Sequence, residues 1–360
     1  MSFKRYYPTK DTFIANADGI FDISLNSMGA SEILNLYRTA QYGSTASILL
    51  SFDAIPSGSQ AVLKLFDAQH SETLPTEFNV FITPLEQSWT EGQGHDLDYY
   101  TDFGAANWVS ASAGVLWAAT TGASYLPFYF ATGHEDLELD ISSLTSSMWA
   151  GLKIEVSPAQ PSGDYYIKKF HSRHTHFPVK KPFIELRQED WVGTLTTSSI
   201  RYITSGTMSG TVWPHLMTGS IATTLVNVTN SIVDPTGVLV SVISDLKPVY
   251  NSYEDVTLHL TVRSKDYNPA TVVAAPSVSP GTVLMDAYYR IVDEGTERVV
   301  VPYGTGTTKF TKLSWNDTGN YFNINMASLP TGTLMRFDFL YNISGTTTSI
   351  PGDNFTFRIV

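Results

Sequence analysis

Cysteine is absent from the 360 residues. A disulfide framework and thiolate metal sites are thereby excluded, whatever compartment the protein occupies. Positive charge is scarce: 22 Lys and Arg stand against 34 Asp and Glu, for a formal net charge of −12. No Lys/Arg cluster is dense enough to neutralise a run of phosphates, so nucleic acid is not expected as a partner. The nearest approach, Lys168-Lys169, Arg173 and Lys180-Lys181, is interrupted by aromatics and His. It reads as a solvated strand edge whose lysines block sheet pairing. Charge of either sign is thin, 16% of residues against about 25% in ordinary globular domains. Such a balance suits β-structure faced with hydroxyls, and large surfaces buried in an assembly, where unpaired charge is expensive. No apolar run is long enough to cross a bilayer, so membrane insertion is not expected. The opening Met1-Ser2-Phe3-Lys4-Arg5-Tyr6-Tyr7-Pro8 has no apolar signal-peptide core. Synthesis and folding in a reducing cytosol are expected, despite sequons at Asn227, Asn316, Asn342 and Asn354.

Helical periodicity is nearly absent too. Leu139 to Trp149 reads as one helical turn or a short helix capped by Ser142 or Ser143. Elsewhere apolar residues recur at every second position. In Val256 to Arg263, the residues Val256, Leu258, Leu260 and Val262 share one face; Thr257, His259, Thr261 and Arg263 share the other. Phe322 to Met326 and Met335 to Tyr341 repeat the pattern, with turn signals at Asp234-Pro235-Thr236-Gly237, Pro302-Tyr303-Gly304 and Leu329-Pro330-Thr331-Gly332. Short alternating strands with frequent turns predict an all-β chain built of sandwiches or barrels. Hydrophobic residues at 42% can fill the cores, and the length calls for two or three domains. The boundaries expected are a first sandwich over 1–192 ending on Phe183-Ile184-Glu185-Leu186, a connecting arm over 193–240, and a second sandwich over 241–360.

The arm is compositionally odd. From Thr194 to Ser231, Arg201 is the only charged residue and Ser and Thr supply 16 of 38 positions. Large apolar residues are interspersed, which a freely solvated linker avoids. Two readings stand side by side: an arm buried in an assembly, or a hairpin belonging to a flanking domain. On the first, Ile200, Tyr202, Met208 and Trp213 are the expected assembly contacts.

Catalytic signatures are missing: no nucleophile elbow, no glycine-rich phosphate loop, no H-E-x-x-H. Asp136, Glu138 and Asp140 line one face of a strand, whereas a glycosidase needs two carboxyls at a set separation from distant elements. They read as a half-exposed acidic strand, and no enzymatic activity is expected. If Phe170 to Phe177 were extended, His174 and His176 would share a face and symmetry copies could ring an axial metal. The plainer expectation is surface histidines on a sheet edge. Tyr99-Tyr100 and Tyr125-Leu126-Pro127-Phe128-Tyr129-Phe130 are candidates for a sugar-stacking platform, yet continuous apolar-aromatic runs read first as core strands. A calcium site from Asp11, Asp18 or Asp22 lacks a ligand loop of recognisable spacing. No metal and no cofactor are expected.

Along the first half the strand signals follow a set order. Asp11-Thr12-Phe13-Ile14 is followed by Gly29 to Leu36, Leu49 to Asp53, Trp89-Thr90-Glu91-Gly92, Leu137 to Ser142 ahead of Trp149, Phe170 with Ser172 and Arg173, and Pro182-Phe183-Ile184. This series resembles the DNRLRE-type module, a jelly-roll relative of carbohydrate-binding modules. The run Glu91-Gly92-Gln93-Gly94 with Asp96, Asp98, Asp102 and Asn107-Trp108 is similar to virion structural proteins of tailed bacteriophages. From Leu246-Lys247-Pro248-Val249-Tyr250 onward the chain looks like an immunoglobulin-like domain of large phage structural proteins. Where the module has N-Y-G-S this chain has Ser27-Met28-Gly29-Ala30, so no ligand-binding residue is carried over. The resemblance implies a jelly-roll domain, the arm, and an immunoglobulin-like sandwich. It implies a non-enzymatic component of a phage virion, in the neck or collar, tail, fibre or capsid decoration. Its partners would be other virion proteins and copies of itself. The alternative it leaves is a carbohydrate-binding module that attaches a virion or an enzyme to host surface glycans.

Overall fold

The computed structural model describes residues 2–16, 23–39, 44–53, 55–56, 59–70, 77–95, 102–118, 124–159, 165–194, 202–203, 225–226, 239–264, 283–316, 319–343, 346–350 and 355–360. The fold is all-β: strands and single 3-10 turns are the regular elements among these residues. None of their helices is long and apolar enough to cross a membrane. The chain divides into two compact units, Phe3–Gln188 and one from Glu189 to Val360.

The first unit opens with β1 (Phe3–Tyr6), β2 (Lys10–Ala15), β3 (Ile33–Arg38), β4 (Thr45–Ser51), β5 (Gln60–Leu65) and β6 (Phe78–Leu85). It continues with the small hairpin β7 (Ser110–Ser112) and β8 (Val115–Leu116), then β9 (Leu126–Phe130), β10 (Leu137–Asp140), β11 (Gly151–Val156), β12 (Tyr166–His171) and β13 (Phe183–Arg187). One sheet has the order β1-β13-β5-β10; the larger one runs β12-β3-β4-β11-β6-β9, with β2 also paired to β4. Period-two alternation chooses the inner face. In β6, Phe78, Val80 and Ile82 are buried while Asn79, Phe81 and Thr83 are half-exposed. They share a core with Leu63, Leu65, Leu137 and Ile184 of the smaller sheet. Each such side chain contributes about 1.5–3 kcal/mol by leaving water.

Strand β4 is buried on both faces. Ile48 and Leu50 enter the main core, whereas Leu49 joins a second cluster with Ile14, Leu85, Trp89, Ala106, Ala111 and Ala150. The segment around β7 and β8 therefore covers part of the larger sheet's outer face.

Four sequence expectations meet corrections in this unit. Strand β12 is an edge, but Lys168 is fully buried rather than solvated. Its Nζ donates to Asp67 Oδ1 at 2.5 Å and to the Gly133 carbonyl at 2.7 Å. The backbone of Asp67 bridges to Phe170, so a crossing segment closes the edge that the lysines were expected to guard. Burial holds Lys168 below its ordinary 10.5 against the pull of Asp67. Second, the turn Ser142–Leu144 has Ile141 at its N-cap and no side-chain cap. Ser142 Oγ instead accepts from the Ala61 N–H at 2.9 Å, tying the turn to β5. Third, Leu126, Phe128 and Phe130 face the core, while Tyr125 and Tyr129 are about half exposed (51% and 52%). Fourth, His174 and His176 do not extend β12, which ends at His171; a turn separates them.

The second unit contains the short pair β14 (Tyr202–Ile203) and β15 (Leu225–Val226). There follow β16 (Leu239–Ile243), β17 (Val249–Tyr250), β18 (Asp255–Ser264), β19 (Ala287–Asp293), β20 (Val299–Val301), β21 (Ser314–Asn316), β22 (Gly319–Asn325), β23 (Leu334–Ile343), β24 (Thr346–Ile350) and β25 (Thr356–Ile359). One sheet is β16-β18-β22-β21; the other is β17-β25-β23-β19-β20 with β24 on β23. Strand β17 runs parallel to β25. Leu258, Leu260 and Val262 are buried and Thr257, His259 and Thr261 exposed, as alternation predicts. In β23 it fails, because Arg336 and Asp338 are buried too. Arg336 bonds Asp338, Glu294 and Glu297, and Asp338 also accepts from Arg290. A filled ionic network replaces the expected wet face. Of the expected assembly contacts, Ile200, Met208 and Trp213 lie outside the described residues, and for Tyr202 only the strand is described.

Phe322 on β22 touches Tyr289, Phe337 and Phe339 of the opposite sheet, with ring centroids 4.7, 5.5 and 6.1 Å away. Phe322→Ala is expected to cost about 3–5 kcal/mol and Phe322→Leu clearly less, read from the urea midpoint of unfolding. Equal, small losses from both would show that this ring does not join the sheets.

Candidate functional site

Asp11 is the second residue of β2, Glu91 lies in the loop after Trp89, and Ser172, Arg173 and His174 form the turn after β12. The fold brings these separated pieces together at one end of the larger sheet. Arg173 donates through Nε to Glu91 Oε1 at 2.9 Å and through Nη2 to Oε2 at 2.5 Å. This two-pronged pairing is the strong geometry for a guanidinium on a carboxylate. The Asp11 N–H donates to Glu91 Oε1 at 2.7 Å, and Asp11 Oδ2 accepts from the Arg173 N–H at 2.5 Å. Ser172 Oγ donates to the Ser31 carbonyl at 2.6 Å, which ties the loop before β3 into the same knot.

Two glycines permit that approach. A Cβ on Gly29 would lie 2.3 Å from the Glu91 carbonyl oxygen, and one on Gly92 would lie 2.2 Å from Ser27 Oγ. Gly92 also has φ +79°, a left-handed conformation that side chains with a Cβ rarely adopt.

Burial pushes Asp11 up to about 7, against the lowering pull of the Arg173 N–H and guanidinium. Burial, followed by the charge of Arg173, holds His174 below its ordinary 6.5. Asp11 Oδ1 and His174 Nε2 are buried without a hydrogen-bond partner. A ligand atom from each of Asp11, Glu91 and His174 lies within 4.8 Å of the others. The sequence reading had Asp11 and His174 as separate, unfavoured metal candidates. Glu91 belongs to the motif series alone, and Arg173 to that series and to the basic cluster read as a solvated strand edge. No sequence spacing shows that they meet; the ordered motifs were the one available signal. Asp18 and Asp22 lie outside the described residues. His176 is exposed and pairs with Glu32 at 2.8 Å.

On the outer face of the larger sheet lies a cleft of about 270 Å³ lined by Ile14, Leu49, Thr83, Trp108, Trp117, Lys153 and Glu155. Trp117 Nε1 donates to the Asn107 carbonyl at 2.7 Å, and Asn107 Oδ1 accepts the Val109 and Ser110 N–H groups. These bonds fix one indole. Lys153 and Glu155 pair across the floor at 2.6 Å. Apolar walls with a few fixed polar groups are what small-ligand sites share. Of the aromatic candidates, Tyr99 and Tyr100 lie outside the described residues; Tyr125 stacks on Phe81 at 4.0 Å.

The carboxylates of the acidic strand are each engaged. Glu138 is bonded to Lys64 and Arg187, Asp140 to Ser142 and Gln60, and Asp136 accepts the Asp67 N–H. No family model matches the chain, and no curated protein is similar to it.

Burial acts to raise Glu138, but Lys64 and Arg187 outweigh it and hold the carboxyl below its ordinary 4.5. A depressed acid stabilises the fold above the unfolded value and loses that contribution as pH falls through the folded one. The wild type is therefore expected to lose stability as pH drops below 4.5. Glu138→Gln should show a shallower acid limb in pH-dependent denaturation; an unchanged limb would mean that the pair is fully screened.

Proposed function

We propose that this chain is a non-enzymatic structural component of a bacteriophage virion, with a jelly-roll domain of the DNRLRE type and an immunoglobulin-like domain, assembling through protein–protein contacts. The observation that carries the reading is the knot of Asp11, Glu91 and Arg173. The polar residues of the ordered motif series are spent on fastening loops to strands, as in a rigid spacer. The phage assignment itself rests on the resemblance of that series and of the residues after Leu246. The charge-poor arm then supplies contact surface, and affinity would come from many repeated interfaces in a symmetric particle. Deletion of residues 194–231 is expected to abolish incorporation into particles, followed by probing purified virions with an antibody to the chain. Full incorporation of the deleted chain would remove the arm's role. Absence of the intact chain from virions would remove the reading.

The cleft beside Trp117 favours a second reading, attachment to a surface glycan. An indole wall and the Lys153–Glu155 pair offer a sugar ring an apolar face and a polar edge. Calorimetry with soluble polysaccharides is expected to give binding that Trp117→Ala weakens about tenfold, or about 1.4 kcal/mol. A folded chain that binds none of them would leave only the structural role.

A further inference from the structure

We propose that Asp11, Glu91 and His174 bind a single transition-metal dication of the zinc class. Asp11 is 1% exposed, and its Oδ1 has no hydrogen-bond partner. Such an oxygen costs free energy unless something meets it. The opposing group is bare as well, since His174 Nε2 is buried and unbonded. The Gly29 backbone acts to raise His174 against burial and the charge of Arg173. A neutral imidazole protonated on Nδ1 presents the Nε2 lone pair, the form in which histidine ligates metals.

Arg173 is the competing cation, together with the more distant charge of Lys181. Its Nε and one Nη2 N–H are committed to Glu91, and its Nε pairs with Asp11 Oδ1 at 3.5 Å without a hydrogen bond to it. Asp11 and Glu91 supply two negative charges when ionised and Arg173 one positive, so a dication is not opposed by the summed charge of the knot. Glu91 already accepts the Asp11 N–H and both prongs of Arg173. A carboxylate has about four lone-pair sites, which leaves one for a metal.

The donor set selects the ion. One imidazole nitrogen with carboxylate oxygens suits zinc and its neighbours, with a fourth position for water. Calcium takes about 6–8 oxygens, which this knot does not assemble. Zinc bound at about 2.0–2.2 Å to each donor would draw the ligand atoms to separations of about 3.4 Å, a contraction from the 4.8 Å limit within which they lie.

The test uses the full, untagged chain, stripped with a chelator and then freed of it. Titration with ZnCl₂ followed by calorimetry and elemental analysis is expected to give one bound ion per chain and a raised unfolding temperature, with MgCl₂ and CaCl₂ inert. His174→Ala, which removes a partly exposed side chain, should still fold and bind at least about tenfold more weakly. His176→Ala should bind as the wild type does. Asp11→Asn, if it folds, should lose the same binding. No stoichiometric uptake by the wild type, or uptake unchanged in His174→Ala, would overturn the proposal and leave a bridging water between Asp11 and His174.

Discussion

An arginine held on a carboxylate by two bonds joins parts of the first unit that sequence keeps far apart. Arg173 and Glu91 are 82 residues from one another, and Glu91 and Asp11 are separated by 80. Ionic groups taken out of water cost several kcal/mol each, and close geometry with additional hydrogen bonds to the same groups offsets that. Here Glu91 accepts three donors, and Arg173 gives its backbone N–H to Asp11 as well. Glu91 is therefore fastened both to β2 and to the turn after β12. Trp89 is held in the second hydrophobic cluster, its Nε1 donating to the Ala150 carbonyl at 3.2 Å and its own carbonyl accepting Lys10 Nζ at 2.8 Å. Trp108 and Trp117 line the cleft on the outer face of the same sheet.

What was legible in the sequence is what period two encodes. Val256 to Val262 and Phe322 to Met326 alternate in burial as written, because in each the apolar residues fall on one side and polar residues on the other. The orders of the sheets follow from turns and strand number together with the handed, uncrossed connections that sandwiches permit. The knot was only partly legible: its residues stood in the motif series, but nothing in one sequence reports that positions about 80 residues apart touch.

The failures share one physical cause. Lys168, Arg336 and Asp338 were read by residue type as solvent-facing, and all three are buried. A charged side chain can occupy an inward or covered position when its partner arrives from elsewhere in the chain, as Asp67 does for Lys168 and Glu294 and Glu297 do for Arg336. Alternation records the host strand and is blind to the guest. The less favoured, extended reading of His174 and His176 fails for another reason. Their shared face required an extended chain, whereas Ser172 Oγ accepts the His174 N–H at 3.0 Å and bends the backbone just past His171.

These pairings bear on how the molecule would meet a neighbour. Arg5, Lys168, Arg173, Arg187, Arg290 and Arg336 are each paired to a carboxylate, in a chain with only 22 basic residues. Charge spent internally is charge withdrawn from the surface. What remains outside includes large apolar groups such as Phe103, Leu116, Trp149 and Tyr253. A buried ion pair adds less net stability than an apolar pair of the same volume, yet removing one partner is costly. Such pairs therefore penalise wrong packings more than they favour the right one. On the structural role proposed above, a spacer presenting the same face in every copy of a symmetric particle would gain more from uniqueness of shape than from added stability. Internal ion pairs and exposed aromatics would serve that role together, since a neighbour docking on aromatics strips few ions of water.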